Sequence, residues 1–223
     1  MQPARKQHRA TQARLIESAC EVFAEKGFRD ATIAEICERA GANVAAANYY
    51  FRDKERLYTE AWRLAFHRSL DAHPAHGGVP PDAPAWERLR GRILSIMRRI
   101  ADPGSHDFEI VHKELANPTG LLAEVTRESL EPIRKSFSAL IRELLGEGAS
   151  ERQVQLCQMS IMAQCFNPMM RERRRRMLPE GLKVPGPPPM DLDLEVMADH
   201  ILRFSLAGIH EIRSQIESGT IHE

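Results

Sequence analysis

The chain has 223 residues, of which 43% are hydrophobic and 28% are charged, and its 31 basic residues balance 31 acidic ones. This composition is typical of a globular protein and excludes a polycation or a disordered low-complexity chain. No apolar run approaches the roughly 18–20 residues that cross a bilayer, and the polar, basic first dozen residues do not resemble a secretory leader. The four cysteines lie in apolar helical patterns without close pairing, which favours reduced thiols and a cytoplasmic location.

Helical periodicity runs through the whole chain and strand signals are scarce, so the sequence predicts an all-α fold of about nine helices. Helix starts are marked by a capping box of Thr32 and Glu35 and by the capping residues Asn43 and Asp53, whereas Gly27 marks a helix end. The predicted helices span residues 10–26, 32–41, 43–50, 54–71, 86–100, 107–116, 121–145, 151–177 and 191–217.

Two segments rich in proline and glycine interrupt this helical pattern. Residues 73–85 are predicted to form a connecting loop, and residues 179–189 an extended surface loop. Pro132 is expected to kink the helix that contains it. We therefore expect an N-terminal domain over residues 9–69 and a C-terminal helical domain over residues 84–217.

The segment that carries the functional signal covers residues 27–57. Its two short helices, joined by a tight turn at Gly41, have the size of a helix-turn-helix, whose second helix enters the major groove of DNA. If Ala47 and Phe51 pack inward, the outward face of that helix presents alanines, an asparagine and tyrosines. Exposing small residues and tyrosines to water brings a globular protein no stability. On a helix that binds DNA, small residues permit close approach to the base edges. The N-terminal domain is thus predicted to be a three-helix helix-turn-helix domain.

Most of the residues predicted to contact DNA have a specific chemical role. Asn48 can form paired hydrogen bonds to adenine, and the alanines can touch thymine methyl groups. The hydroxyls of Tyr49 and Tyr50 and the ammonium of Lys54 suit phosphate oxygens, as does Thr32 at a helix N-terminus. A basic arm at residues 1–14, which carries Arg5, Lys6, Arg9 and Arg14, also suits phosphate contact, although such an arm can equally be a solvated tail. The full predicted set is Thr32, Asn43, Val44, Ala45, Ala46, Asn48, Tyr49, Tyr50 and Lys54.

The helix-turn-helix segment resembles the DNA-binding domain of the TetR/AcrR regulators. The resemblance covers roughly residues 9–69 and departs from the family pattern at Ala46 and Asn48, where threonine and tyrosine are common. The matching residues are Ala19, Phe23, Gly27, Phe28, Thr32, Ile33, Ile36, Ala40, Gly41, Asn43, Tyr49, Tyr50, Phe51, Lys54 and Leu57. The rest of the chain is similar to the CecR-like branch, through the Asn117-Pro118-Thr119 phrase and the proline-rich insertion. This resemblance implies a ligand-released repressor that dimerises through its last two long helices and binds a small-molecule effector in the C-terminal domain. The two-fold symmetry of such a dimer predicts a palindromic DNA operator.

The C-terminal helices predict a homodimer on their own evidence. Residues 154–170 are apolar on all sides of a helix, and the last helix carries small residues, among them Ala207 and Gly208, that allow close approach. Two such helices from each subunit could form a four-helix interface with two-fold symmetry. Some of the apolar residues could instead face an effector cavity. The candidates for that cavity are Phe108, His112, Met159, Met162, Phe166 and Asn167.

Other functions find less support in the sequence. It has no nucleophile elbow, phosphate loop or plausible catalytic grouping, so we expect no enzyme. The spacing of His67, His73 and His76 matches no metal-ligand pattern, and no metal or cofactor is expected. The arginine-rich run at residues 171–176 is interpreted as a solvated helix end. The alternatives are a helical small-molecule-binding protein or enzyme without sequence-specific DNA binding, and a pure interaction module.

Overall fold

The computed structural model describes residues 3–177 and 193–220, and the side chains within these ranges except those of residues 3–6 and 177. The described residues form nine α-helices and no strand, which confirms the all-α prediction. The helices are α1 (Pro3–Asp30), α2 (Ile33–Ala40), α3 (Val44–Phe51), α4 (Lys54–Ala72), α5 (Ala85–Ala101), α6 (His106–Ala116), α7 (Ala123–Leu145), α8 (Glu151–Met177) and α9 (Leu194–Ser218). None of these described helices is long and apolar enough to cross a bilayer. The loop predicted over residues 179–189 lies outside the described residues.

Local capping sets the ends of the short helices, as predicted. The Thr32 hydroxyl accepts a hydrogen bond from the amide of Glu35 at 3.2 Å, which satisfies a free donor at the start of α2. Gly41 ends α2 in the left-handed region, at φ 57°. The carboxylate of Asp53 accepts from the amide of Arg56 at 2.8 Å at the start of α4. These four-residue signals explain why the boundaries of α2, α3 and α4 follow the sequence closely.

Helix α1 is longer than predicted. It begins at Pro3 rather than residue 10, because the preceding polar residues contain no helix breaker and proline is well suited to a first helical turn. Its regular path ends at Gly27, which has φ 76° and ψ −179°, so a residue with a side chain would be strained there. A Cβ atom added to Gly27 would also lie 3.3 Å from the Cβ of Lys113 on α6.

The described residues group into two compact units, residues 3–71 with 103–130 and residues 72–102 with 131–177 and 193–220. The first unit therefore includes α6, which falls within the range 84–217 expected for a C-terminal domain. Helix α6 packs along α1, and the core beneath them contains Tyr58, whose ring centroid lies 4.8 Å from that of Phe23. Local sequence patterns do not indicate that α6 packs on α1, because four other helices lie between them along the chain.

In the second unit, α5 packs against both α8 and α9. Helix α7 continues through Pro132, and a kink there stays a prediction. The expectation that the whole run at 171–176 is solvated is wrong for Arg173. That side chain is 8% exposed and donates to the carbonyl oxygens of Ile100 at 2.6 Å and Asp102 at 2.7 Å. These two hydrogen bonds to carbonyl oxygens at the end of α5 compensate part of the cost of burying the guanidinium.

Candidate nucleic-acid interface

Helix α3 is held by one buried edge and leaves its other faces open. Ala47 is 2% exposed and Phe51 is 3% exposed, so these two residues anchor the helix in the first unit. The side chain of Asn43 caps the helix by accepting from the amide of Ala46 at 2.8 Å. The helix is therefore fixed at its N-terminus and along one side, as a rigid element that presents the remaining side chains.

The outward side chains of α3 are those that the sequence pattern assigned to DNA contact. Val44, Ala45 and Asn48 are exposed, and Tyr49 is 73% exposed. Ala46 and Tyr50 are half-buried. A tyrosine that is 73% exposed is unusual on a surface that contacts only water, because its aromatic ring gains no hydrophobic stabilisation there. The assignment of these residues to base and phosphate contact stays a prediction.

The two tyrosines form an aromatic cluster with His8 of α1. Their ring centroids lie 5.2 Å apart, and the ring of His8 lies 6.3 Å from Tyr49 and 6.2 Å from Tyr50, edge-on to both. A cleft of about 550 Å³ between α1 and α3 is lined by Gln7, His8, Thr11, Asn43, Ala46, Tyr49 and Tyr50. The extension of α1 therefore borders the same surface as α3.

The sequence interpretation missed Gln7, His8 and Thr11. It treated residues 1–14 as a basic arm, and the available signal was that these three residues share one helical face, at spacings of three and four. The arm prediction also needs correction for Arg14, whose Nε donates to the carbonyl oxygen of Ala40 at 3.1 Å and caps α2. Arg5 and Lys6 lie among the residues whose side chains are not described. Arg9 is exposed.

Lys54 has a structural role that the sequence did not indicate. Its Nζ donates to the carbonyl oxygen of Arg29 at 3.3 Å and lies 4.6 Å from the centroid of the Phe28 ring. Burial lowers the pKa of this ammonium from its ordinary value. Thr32, by contrast, is exposed at the start of α2, and its hydroxyl proton is still available to an acceptor because the oxygen only accepts in the cap.

Arg52 is a second cation that the sequence interpretation overlooked at this surface. It ends α3 at φ 65°, and it is the one described residue other than glycine with a positive φ. Its side chain is exposed and forms no ion pair with another described residue. An unpaired guanidinium next to the outward face of α3 can bind a phosphate.

The six residues proposed for an effector cavity are not all placed to line one within a single chain. Met159 is 61% exposed and Asn167 is exposed, so both belong to the outer surface of α8. Phe108 and His112 are half-buried on α6 in the first unit. Met162 and Phe166 are half-buried on α8 in the second unit. For these last four residues, a role in effector binding stays a prediction.

Family comparisons match both parts of the chain. Residues 15–61 match the family described as bacterial regulatory proteins, tetR family. Residues 85–209, more than half of the chain, match the C-terminal domain of the HTH-type transcriptional dual regulator CecR. The two matches follow one another along the chain without overlap.

Individual relatives are regulators as well. The HTH-type transcriptional regulator BetI of Klebsiella pneumoniae (strain 342) is 33% identical over 93 residues, which are 42% of this chain and 45% of BetI. BetI of Escherichia coli (strain K12 / DH10B) is 35% identical over 79 residues, 35% of this chain and 40% of that protein. The alignments therefore span less than half the length of the curated relatives that the chain matches.

Solved structures share the fold over most of the chain. A TetR-like transcriptional regulator from Rhodococcus sp. RHA1 has a TM-score of 0.65 at 14% identity and covers 90% of this chain and 96% of its own. The fatty acid degradation regulator FadR from Bacillus halodurans has a TM-score of 0.61 at 16% identity, with 88% and 98% coverage. At such identities the likeness shows the fold alone.

Proposed function

The chain belongs to the TetR family of transcriptional regulators, in the branch with a CecR-type C-terminal domain, and on this premise we propose that it is a sequence-specific DNA-binding repressor. The observation that carries the proposal is the outward face of α3, where Asn48 and Tyr49 are exposed while Ala47 and Phe51 hold the helix in place. A rigid helix with an exposed amide can read adenine in the major groove. The functional division is residues 9–69 for DNA binding and residues 84–217 for effector binding and dimerisation.

The repressor acts as a homodimer through the open face of α8 and α9. Four large apolar side chains on these helices are exposed by 48–67%, namely Leu156, Met159, Val196 and Phe204. Ala207 and Gly208 are exposed as well, and a Cβ added to Gly208 would meet no atom of the described residues within 4 Å, which leaves room for a second helix to approach. An exposed apolar surface of this kind favours association with another protein surface. A two-fold dimer would read a palindromic operator with its two copies of α3.

A small-molecule effector releases the repressor from DNA by stabilising a dimer state in which the two copies of α3 no longer fit successive major grooves. To change operator occupancy decisively, the effector must bind the released state more tightly than the DNA-bound state by several kcal/mol. A change from about 1% to about 99% of the released state needs about 5.5 kcal/mol. A regulator that acts on chromosomal DNA in this way works in the cytoplasm, which the four free cysteines support.

The experiment is fluorescence anisotropy with the DNA that lies upstream of the protein's own gene, compared with a shuffled duplex of equal length at several salt concentrations. We expect the upstream DNA to bind more tightly than the shuffled duplex, and the affinity for both to fall as salt rises. A small-molecule-binding protein or enzyme without sequence-specific DNA binding would show no difference between the two duplexes at any salt concentration.

A further inference from the structure

A cleft of about 410 Å³ opens in the second unit between the loop that follows α4, helix α5 and helix α7. Its volume falls in the range of about 300–1,000 Å³ that is common for small-molecule sites. Four of its lining residues are apolar, namely Val79, Pro80 and Pro81 of the loop and Leu140 of α7. Two positively charged residues, Arg88 and Arg92, line the same cleft.

Arg92 is a half-buried cation that forms no ion pair within the described residues. It donates to the carbonyl oxygen of Ile133 at 3.2 Å and to the hydroxyl of Ser136 at 2.5 Å, and its Cζ lies 5.1 Å from the centroid of the Phe137 ring. No carboxylate of the described chain pairs with it. Burial lowers the pKa of its guanidinium, because the charged form has lost water. Neutral acceptors compensate only part of that loss, so an anion at this position would be stabilised.

Arg88 provides an internal contrast in the same cleft. Its guanidinium forms an ion pair with Glu143, and its Nε donates to the carbonyl oxygen of Ala83 at 2.9 Å. The charge of Arg88 is therefore already neutralised by the protein. The cleft carries one positive charge in excess, and that charge is centred on Arg92.

The loop that contributes Val79, Pro80 and Pro81 to the cleft is held against α5 by close contacts. The hydroxyl of Ser95 contacts the carbonyl oxygens of His73 at 3.1 Å and Pro74 at 2.7 Å, which ties the start of the loop to α5. Gly77 and Gly91 meet so closely that a Cβ on Gly77 would lie 2.1 Å from the Gly91 carbonyl oxygen. A preformed wall lowers the entropic cost of binding.

We propose that this cleft binds a small amphipathic carboxylate, whose head group pairs with Arg92 and whose apolar body packs against Val79, Pro81 and Leu140. The planar guanidinium offers the parallel donors that a carboxylate accepts, and the apolar wall supplies the hydrophobic contribution that a free inorganic anion could not use. The assignment of this cleft as the effector site of the repressor rests on the proposed function. Binding of the carboxylate to the cleft can be measured without DNA and does not depend on that function.

The test compares octanoate with octanamide, which has nearly the same shape and no charge, by isothermal titration calorimetry on the full chain without DNA. Octanoate is expected to bind the wild type at least about tenfold more tightly than octanamide. Arg92→Met should weaken octanoate roughly 10- to 100-fold and remove the preference for the charged ligand, because a hydrogen bond to a charged group is lost. Arg92→Lys should retain a reduced preference, since it keeps the charge and loses the paired donors.

Arg134→Met is the matched control, because Arg134 is an exposed arginine of α7 that does not line the cleft. Its partner Glu131 keeps an ion pair with Lys135, so this variant should keep the preference for octanoate. The proposal is overturned if the wild type binds neither ligand at millimolar concentration, if it binds both equally, or if folded Arg92→Met retains the preference. If Arg92→Met does not fold, the comparison of octanoate with octanamide on the wild type still tests whether the cleft prefers a charged ligand. The proposed DNA binding is tested separately, by fluorescence anisotropy of the ligand-free protein, and its outcome does not depend on these calorimetric results.

Discussion

The ammonium of Lys54, at the first residue of α4, donates a hydrogen bond to the carbonyl oxygen of Arg29, at the end of α1, over 3.3 Å. The same ammonium lies against the face of the Phe28 ring. Lys54 thus joins the two helices on either side of the helix-turn-helix. A residue expected from the sequence to bind phosphate also stabilises the unit that presents α3.

Lys54→Met should therefore have two effects. We expect the free energy of unfolding to fall by about 1 kcal/mol through the lost hydrogen bond and cation–π contact. DNA affinity should fall equally for upstream and shuffled duplexes, because a phosphate contact carries no sequence information. Urea denaturation and anisotropy measure the two effects. Lys26→Met is the control, since it removes only an exposed ion pair with Glu35, and a larger stability loss for that control would contradict the role given to Lys54.

Arg52 combines backbone strain with an unpaired charge, and Arg52→Gly separates the two. Because glycine adopts positive φ without steric cost, relief of strain should raise the free energy of unfolding by about 0.5–1 kcal/mol, after the entropic cost of glycine is subtracted. DNA affinity should fall for both duplexes, since the cation is lost. Arg52→Asn should lower affinity similarly with a smaller gain in stability, because asparagine tolerates this region less well than glycine. Unchanged DNA affinity in both variants would exclude Arg52 from the interface.

Glu114 connects α6, α4 and the turn after α6 within the first unit. Its carboxylate accepts from the hydroxyl of Tyr58 at 3.2 Å, from the amide and hydroxyl of Thr119 at 2.8 and 2.9 Å, and from the amide of Gly120 at 2.8 Å. Tyr58→Phe removes one of these bonds and should cost about 1 kcal/mol in urea denaturation. Glu114→Ala leaves several donors without an acceptor and should cost about 2–4 kcal/mol. Equal losses for the two variants would contradict this arrangement.

The proposed dimer face predicts a change in oligomeric state. Phe204, which is 66% exposed on α9, should lie near the dimer axis, and Phe204→Glu should convert the dimer to a monomer in light scattering coupled to size exclusion. Leu115→Glu is the control, because Leu115 is 73% exposed on α6 and lies outside the proposed interface. A monomeric wild type at micromolar concentration, or a dimeric Phe204→Glu, would rule out this face.

The parts of the fold that sequence predicts well are those fixed by neighbouring residues. The caps at Thr32, Asn43 and Asp53 each involve an amide three residues away, so the sequence pattern contains both partners. The inward placement of Ala47 and Phe51 follows in the same way from helical spacing. Seven of the nine residues predicted to contact DNA lie on α3 or at its N-cap Asn43, so this local pattern already contains them.

The remaining features depend on contacts between distant residues. Nothing near Lys113 indicates that α6 packs against Gly27 of α1. The apolar residues around α8 are compatible with a core, a cavity or a partner surface, and the sequence does not indicate which side of the helix the rest of the unit covers. Met159 lies on the uncovered side, with 61% of its surface exposed. The sequence around Arg173 predicts a solvated side chain, because the carbonyl oxygens to which it donates belong to the end of α5, about 70 residues earlier in the chain.

The claim on which the account depends is that α3 reads base pairs through Asn48. The most direct measurement is the affinity of the wild type and of Asn48→Ala for the upstream duplex and for the shuffled duplex, by anisotropy at fixed salt. We expect Asn48→Ala to bind the upstream duplex about 5- to 150-fold more weakly, corresponding to about 1–3 kcal/mol, and to bind the shuffled duplex as the wild type does. An equal loss on both duplexes, or no loss on either, would contradict the assignment of α3 as the recognition helix.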